Sequence, residues 1–127
     1  PESSYQVLRV IEGDRYVLDL NGNGQEDEDE IFHLYNVNSF PLRYSEKTVQ
    51  YAENYGLSVQ EAVALGYVGR EWAKEHLLGQ KVVLKDANDY NPAYNYRFAQ
   101  ISFKNQDLAK ALLKEPNCPT CSQILDR

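Results

Sequence analysis

The twelve residues from Asp19 to Glu30, DLNGNGQEDEDE, contain six acids, two asparagines and two glycines at regular intervals. Calcium takes six to eight hard oxygen ligands, and a twelve-residue loop of the EF-hand type supplies them from positions 1, 3, 5, 7, 9 and 12. Counted from Asp19, those positions are Asp19, Asn21, Asn23, Gln25, Asp27 and Glu30, with Gly24 at the sharp reversal. Gln25 would contribute its backbone carbonyl and Glu30 a closing bidentate carboxylate. Glu26 stands where paired hands carry an apolar anchor, and the flanks read as strands. The pattern therefore predicts a solitary loop grafted onto a hairpin, with affinity on the order of 10⁻⁵–10⁻³ M. The competing reading is a flexible connection kept soluble by its acids. Against it, five consecutive acids, Glu26 to Glu30, repel one another in a tight connection unless a cation or solvent screens them.

Other chemistry-bearing residues are sparse. Cys118 and Cys121 form a CxxC near the C-terminus, a spacing that leaves open a short-range disulfide, half of a metal site or a redox pair. The only histidines are His33 and His76, so no second zinc-ligand pair accompanies the cysteines. Trp72 falls on a helical apolar stripe and reads as core, not as a base-stacking platform. Tyr90, Tyr94 and Tyr96 surround an asparagine-rich loop and suggest a contact surface.

These residues must be positioned by a chain of 127 residues with 43% hydrophobic content, a size expected to form one domain with a real core. Six of its 19 acids lie in the acidic segment, and the other 13 equal the 13 Lys and Arg, so the net charge of −6 belongs to that segment. This balance argues against global electrostatic steering toward nucleic acid. No run approaches a membrane span, and the first residues lack the plan of a signal peptide. The weak affinity expected of a lone calcium loop and an oxidisable CxxC both lean toward an extracytoplasmic or secreted setting.

Strands are expected at Tyr5 to Ile11 and Arg15 to Leu20, joined at Glu12-Gly13-Asp14, and at Ile31 to Val37. The stretch from Asn38 to Gly56 reads as loop. Ser58 and Glu61 form a capping box, and Val59, Ala62, Val63, Val68, Trp72, Ala73 and Leu77 make a stripe, so Val59 to Leu78 should be helical, kinked or in two pieces at Gly66 and Gly69. Further strands are expected at Lys81 to Lys85 and Tyr96 to Phe103, and a short helix from Gln106 to Lys114. The fold class is α+β, with five strands closing into a small barrel and two to three helices. The core spans about residues 5–113, and 114–127 form a C-terminal tail carrying the CxxC.

The ordered blocks VLRVIEGDRYVLDL, IFHLYNVNS, GREWAKEHLLGQKVVL and YRFAQISFKNQDLAKALL resemble the staphylococcal-nuclease-like (thermonuclease) domain family. The resemblance covers roughly Tyr5 to Leu113. It implies an OB-fold barrel and, in active members, calcium-dependent cleavage of DNA and RNA. Residue by residue, the implied active site is eroded. Asp14 matches a calcium-binding aspartate of the first turn. The phosphate-binding arginine of the third strand corresponds to His33, a second metal-binding aspartate to Asn38, and the glutamate proposed as general base to Pro41. The second phosphate-binding arginine corresponds to Tyr96, with Arg97 one residue late and on the opposite strand face unless a bulge intervenes.

Proline cannot accept a proton, and loss of a positioned base typically costs about 10²–10⁴ in rate. Histidine lacks the five-donor fork of arginine and is neutral near pH 7 unless a neighbour raises its pKa. The resemblance thus implies a remnant cleft of Asp14, His33, Asn38 and Tyr96 on a non-catalytic, nuclease-like binding module, with a structural calcium loop as its best-formed site. Its ligand would be unknown, with nucleic acid among the candidates, and nothing signals a strong oligomer. The alternative is a calcium-dependent phosphodiesterase with a rearranged site, into which Arg43, Glu46 or Glu53 moves from the long loop.

Overall fold

The valine- and tyrosine-rich runs of the N-terminal third pair as strands because each offers a face of apolar side chains to one shared interior. The computed structural model describes residues 3–35, 39–93 and 95–114. Along them lie β1 (Ser4–Glu12), β2 (Arg15–Leu18), β3 (Ile31–Leu34), α1 (Glu46–Tyr55), α2 (Val59–Leu77), β4 (Lys81–Ala87), β5 (Arg97–Phe103), β6 (Gln106–Asp107) and α3 (Leu108–Lys114). A single 3₁₀ turn, Glu28–Glu30, leads into β3. The class is α+β, as the pattern predicted.

The strands are ordered β3-β2-β1-β4-β5-β6, and a further pairing of β3 with β5 closes the first five into a ring. Every pairing is antiparallel except β3 with β5, where Phe32, His33 and Leu34 face Arg97, Phe98 and Ala99 in parallel. Closure needs bent strands, and the register of β1 against β2 shifts between Val7 and Arg9 and again between Val10 and Glu12. Such bulges bend a strand and increase its twist. They also explain why Val7 and Val10, three residues apart, are both buried. The interior holds Tyr16, Leu18, Phe32, Leu34 and Ile101, capped by Ala73 and Leu77 of α2 and by Leu108 and Leu112 of α3.

Several expectations are corrected. The stretch read as loop contains α1, whose buried residues are only Thr48 and Ala52, too thin a stripe to register as helical periodicity. Its ends are nonetheless conventional: Ser45 caps the Thr48 N–H, and Gly56 takes a left-handed φ of 67° at the C-terminus. With Phe40 and Ala62, Ala52 forms a second small apolar cluster. α2 is one unbroken helix across both glycines. At Gly66 the reason is close approach, because a Cβ there would lie 2.6 Å from the Pro41 carbonyl oxygen and 2.7 Å from that of Phe40.

Val68, assigned to the apolar stripe, is exposed, and Trp72 is only partly buried against the core. β2 ends two residues early because the chain turns into the acidic loop at Asp19, and β3 spans Ile31–Leu34, with Asn36 and Val37 of the expected strand outside the described residues. β4 runs two residues longer than expected, and β5 starts one residue later. Gln106 and Asp107 pair with β5 as a sixth strand, and Asp107 then accepts the Lys110 N–H, so the last helix begins at Leu108. Among the described residues no helix is long and apolar enough to cross a membrane. Cys118, Cys121, Asn38 and Tyr94 lie outside the described residues.

Candidate functional site

The β1–β2 turn presents Asp14 beneath a ring of interactions. Arg15 is in register with His33, and the Leu34 N–H donates to the Asp14 carbonyl, so the strand pairing itself brings Asp14 to His33. Both side chains are buried. His33 Nε2 lies 3.1 Å from Asp14 Oδ2. The same oxygen accepts the Ser39 N–H at 2.8 Å, and Oδ1 accepts the Ser39 hydroxyl at 3.1 Å. Asp14 therefore has donors on both oxygens.

Burial pushes the Asp14 pKa up, but hydrogen bonding and charge from His33, with the Ser39 bonds, outweigh it and hold the carboxyl below its ordinary value. Burial likewise disfavours a charged His33, yet the Asp14 bond and charge and the Leu34 carbonyl raise its pKa overall. The geometry agrees. Nδ1 lies 2.8 Å from the Leu34 carbonyl oxygen and Nε2 faces a carboxylate, so only the imidazolium satisfies both acceptors. The neighbour that the sequence reading allowed for is Asp14, which favours the charged imidazole.

The Tyr96 ring lies beside that of His33, the centroids 5.2 Å apart. The His33 ring also meets Phe98, at 5.1 Å. Arg97 points elsewhere: its guanidinium lies over the Phe32 ring, and its nitrogens donate to the carbonyls of Asn88 and Asp29. The guanidinium that does reach the cleft belongs to Arg15, 4.7 Å from the Tyr96 ring centroid and 3.2 Å from Glu12 Oε1. Sequence reasoning missed it because Arg15 reads as an ordinary hairpin residue. Arg43 lines a neighbouring groove with Arg15 and Pro41, while Glu46 and Glu53 are exposed on α1.

The acidic loop folds around its own oxygens. Asp19 Oδ2 accepts the Gly24 N–H, Asn21 Oδ1 that of Asn23, and Asn23 Oδ1 that of Gln25. Gly22 and Gly24 both take a φ of 72°, which lets the chain reverse. The amides of Asn21 and Asn23 reach Asp27 Oδ2, at 2.9 and 3.4 Å. Glu30 is buried and accepts the N–H groups of Leu20 and Asp27 with its two oxygens.

These bonds run through Asp19, Asn21, Asn23, Gln25, Asp27 and Glu30, but both Glu30 oxygens, expected to close on a cation, are held by N–H groups. The expected repulsion is partly absorbed: Glu26 pairs with Arg9 at 2.9 Å, and Glu28 accepts the Tyr90 hydroxyl. One group is left over. Asp19 Oδ1 is buried without a hydrogen-bond partner among the described residues. Among those residues no three His, Cys, Asp or Glu side chains form a ready metal cluster, so any ion here would draw on amide and backbone oxygens as well.

Comparison with protein-family models finds no match to this chain, and comparison with curated proteins finds none.

Proposed function

We propose that this chain is a non-catalytic, nuclease-like binding module of the OB type that carries a structural calcium ion in the loop Asp19 to Glu30. The ring of β1 to β5, closed by its parallel β3–β5 contact, fits a small five-stranded barrel of that class. The reading is carried by the contrast between two buried aspartates. Asp14, the one surviving calcium ligand implied by the resemblance, has both oxygens engaged by His33 and Ser39. Asp19 keeps one buried oxygen without a partner among the described residues.

A metal at Asp14 would have to displace a cationic histidine and the Ser39 donors. A metal at Asp19 meets an uncompensated acceptor, whose burial without a partner costs about 1–3 kcal/mol. With Asn21, Asn23 and Asp27 beside it, the loop offers calcium hard oxygens, and the ion would clamp the β2–β3 connection. The cleft of Asp14, His33 and Tyr96, without a proton acceptor at Pro41, holds a ligand and does not hydrolyse it.

Calcium titrated calorimetrically into wild type and into Asp19→Asn tests the loop. Asparagine can still accept from Gly24, but it puts an NH₂ where the unpartnered oxygen stood. Binding by wild type and none by the variant is expected; no heat from wild type at up to millimolar calcium sinks the site. For the cleft, single-stranded DNA and RNA incubated with calcium should stay intact. Metal-dependent cleavage lost in Asp14→Ala would overturn the non-catalytic reading.

A further inference from the structure

Beside the Asp14–His33 pair, but outside it, runs an open groove of about 420 Å³ between the β1–β2 turn and the start of α1. Arg15, Arg43 and Lys47 line it, and among the described residues the only acid in its lining is Glu12. Three cations facing one carboxylate leave an uncompensated positive charge there, although the chain outside the acidic loop is electrically balanced. Arg15 is fixed in place by its seat over Tyr96 and by Glu12. Its Nε is nevertheless buried with no acceptor among the described residues. No side-chain partner binds the Arg43 guanidinium among the described residues, and Arg43 is exposed. Lys47 lines the groove with its ammonium 5.5 Å from the Tyr51 ring centroid. Ile11, Pro41 and Leu42 make an apolar wall, and Ser45 completes the lining.

We propose that this groove binds a phosphomonoester dianion, with the phosphate held by Arg15, Arg43 and Lys47 and the organic body resting on Ile11, Pro41 and Leu42. Two guanidinium forks match the geometry of phosphate oxygens, and the lysine adds a point charge. A cation is disfavoured by the charge of the lining. Inorganic phosphate would use only half of the groove. The proposal deepens the binding reading of the cleft and rests on it in one respect, that the bound phosphate is retained and not cleaved. It needs no metal.

The test is calorimetry at low ionic strength with phenyl phosphate, inorganic phosphate and phenol. Phenyl phosphate is expected to bind more tightly than inorganic phosphate, and phenol not at all. Arg43→Gln and Lys47→Gln, both at exposed positions, should each weaken phenyl phosphate binding about tenfold. Lys81→Gln, on β4 away from the groove, should leave it unchanged.

No binding of either phosphate, or equal weakening by Lys81→Gln, overturns the site. Equal affinity for inorganic and phenyl phosphate overturns the role of the apolar wall. Calcium titration and phosphate release are measured on the same samples. Release of phosphate or phenol would overturn the non-catalytic reading, whereas loss of phosphate binding with calcium binding intact would overturn the groove alone.

Discussion

The imidazole of His33 bridges two acceptors, the Asp14 carboxylate at 3.1 Å and the Leu34 carbonyl at 2.8 Å, inside a cleft that buries both side chains. A buried pair of this kind is weak evidence for stability against an apolar replacement. Removing one member is different, because it leaves the other charged and uncompensated.

The pair should give a stability maximum in mildly acidic solution. Asp14 has a depressed folded pKa, so its contribution is complete above its ordinary value of 3.8 and is lost as pH falls through the folded value. His33 has a raised folded pKa, so its contribution is complete below 6.5 and is lost as pH rises through the folded value. The best window therefore lies between 3.8 and 6.5. Glu12, raised chiefly by burial and then by the Asp14 charge, loses stability as pH rises and partly offsets the acid limb. Urea unfolding across this range should show the maximum. His33→Gln should lower it by about 3–5 kcal/mol and flatten the alkaline limb; a wild-type curve rising above pH 6.5 contradicts the assignment.

Glu30 should matter even when calcium is chelated. It is buried and satisfies the N–H groups of Leu20 and Asp27. Glu30→Ala leaves two donors unpaired at about 1–3 kcal/mol each, so denaturant unfolding in chelator should show a loss of that order. Asp19→Asn should cost far less under the same conditions, separating the loop's scaffold from its ion.

Gly66→Ala reverses the usual helical expectation. In an exposed helix the change gains roughly 0.5–1 kcal/mol. Here the added methyl would stand 2.6 Å from the Pro41 carbonyl oxygen, which is backbone and cannot swing aside. Overpacking of about 1–3 kcal/mol should win, and thermal unfolding should shift down. An upward shift would mean that the 39–41 segment is not held against α2.

α1 should depend on its caps more than on its packing. Ser45→Ala removes the acceptor for the Thr48 N–H and should cost about 1 kcal/mol. Gly56→Ala forces a Cβ into the left-handed region at φ 67° and should cost about 1–2 kcal/mol. Circular dichroism and denaturant unfolding of the two variants measure both; neutral effects would remove the caps as the reason for this helix.

What the sequence determined by itself was local. The strand runs, the Glu12 to Arg15 turn, the Ser58–Glu61 capping box and the spacing of Asp19, Asn21, Asn23, Asp27 and Glu30 all depend on neighbours within a dozen residues. The strands and the capping box appear where the pattern put them, to within a few residues. Tertiary structure decided the rest. α1 escaped notice because a helix with two buried positions has almost no periodicity. Arg15 became a cleft residue only because the parallel contact of β3 with β5 brings Tyr96 beside His33, and His33 became a cation only because strand register sets it against Asp14. Such pairings join residues as many as 81 positions apart through bulges and ring closure, and no side chain announces its partner across that distance.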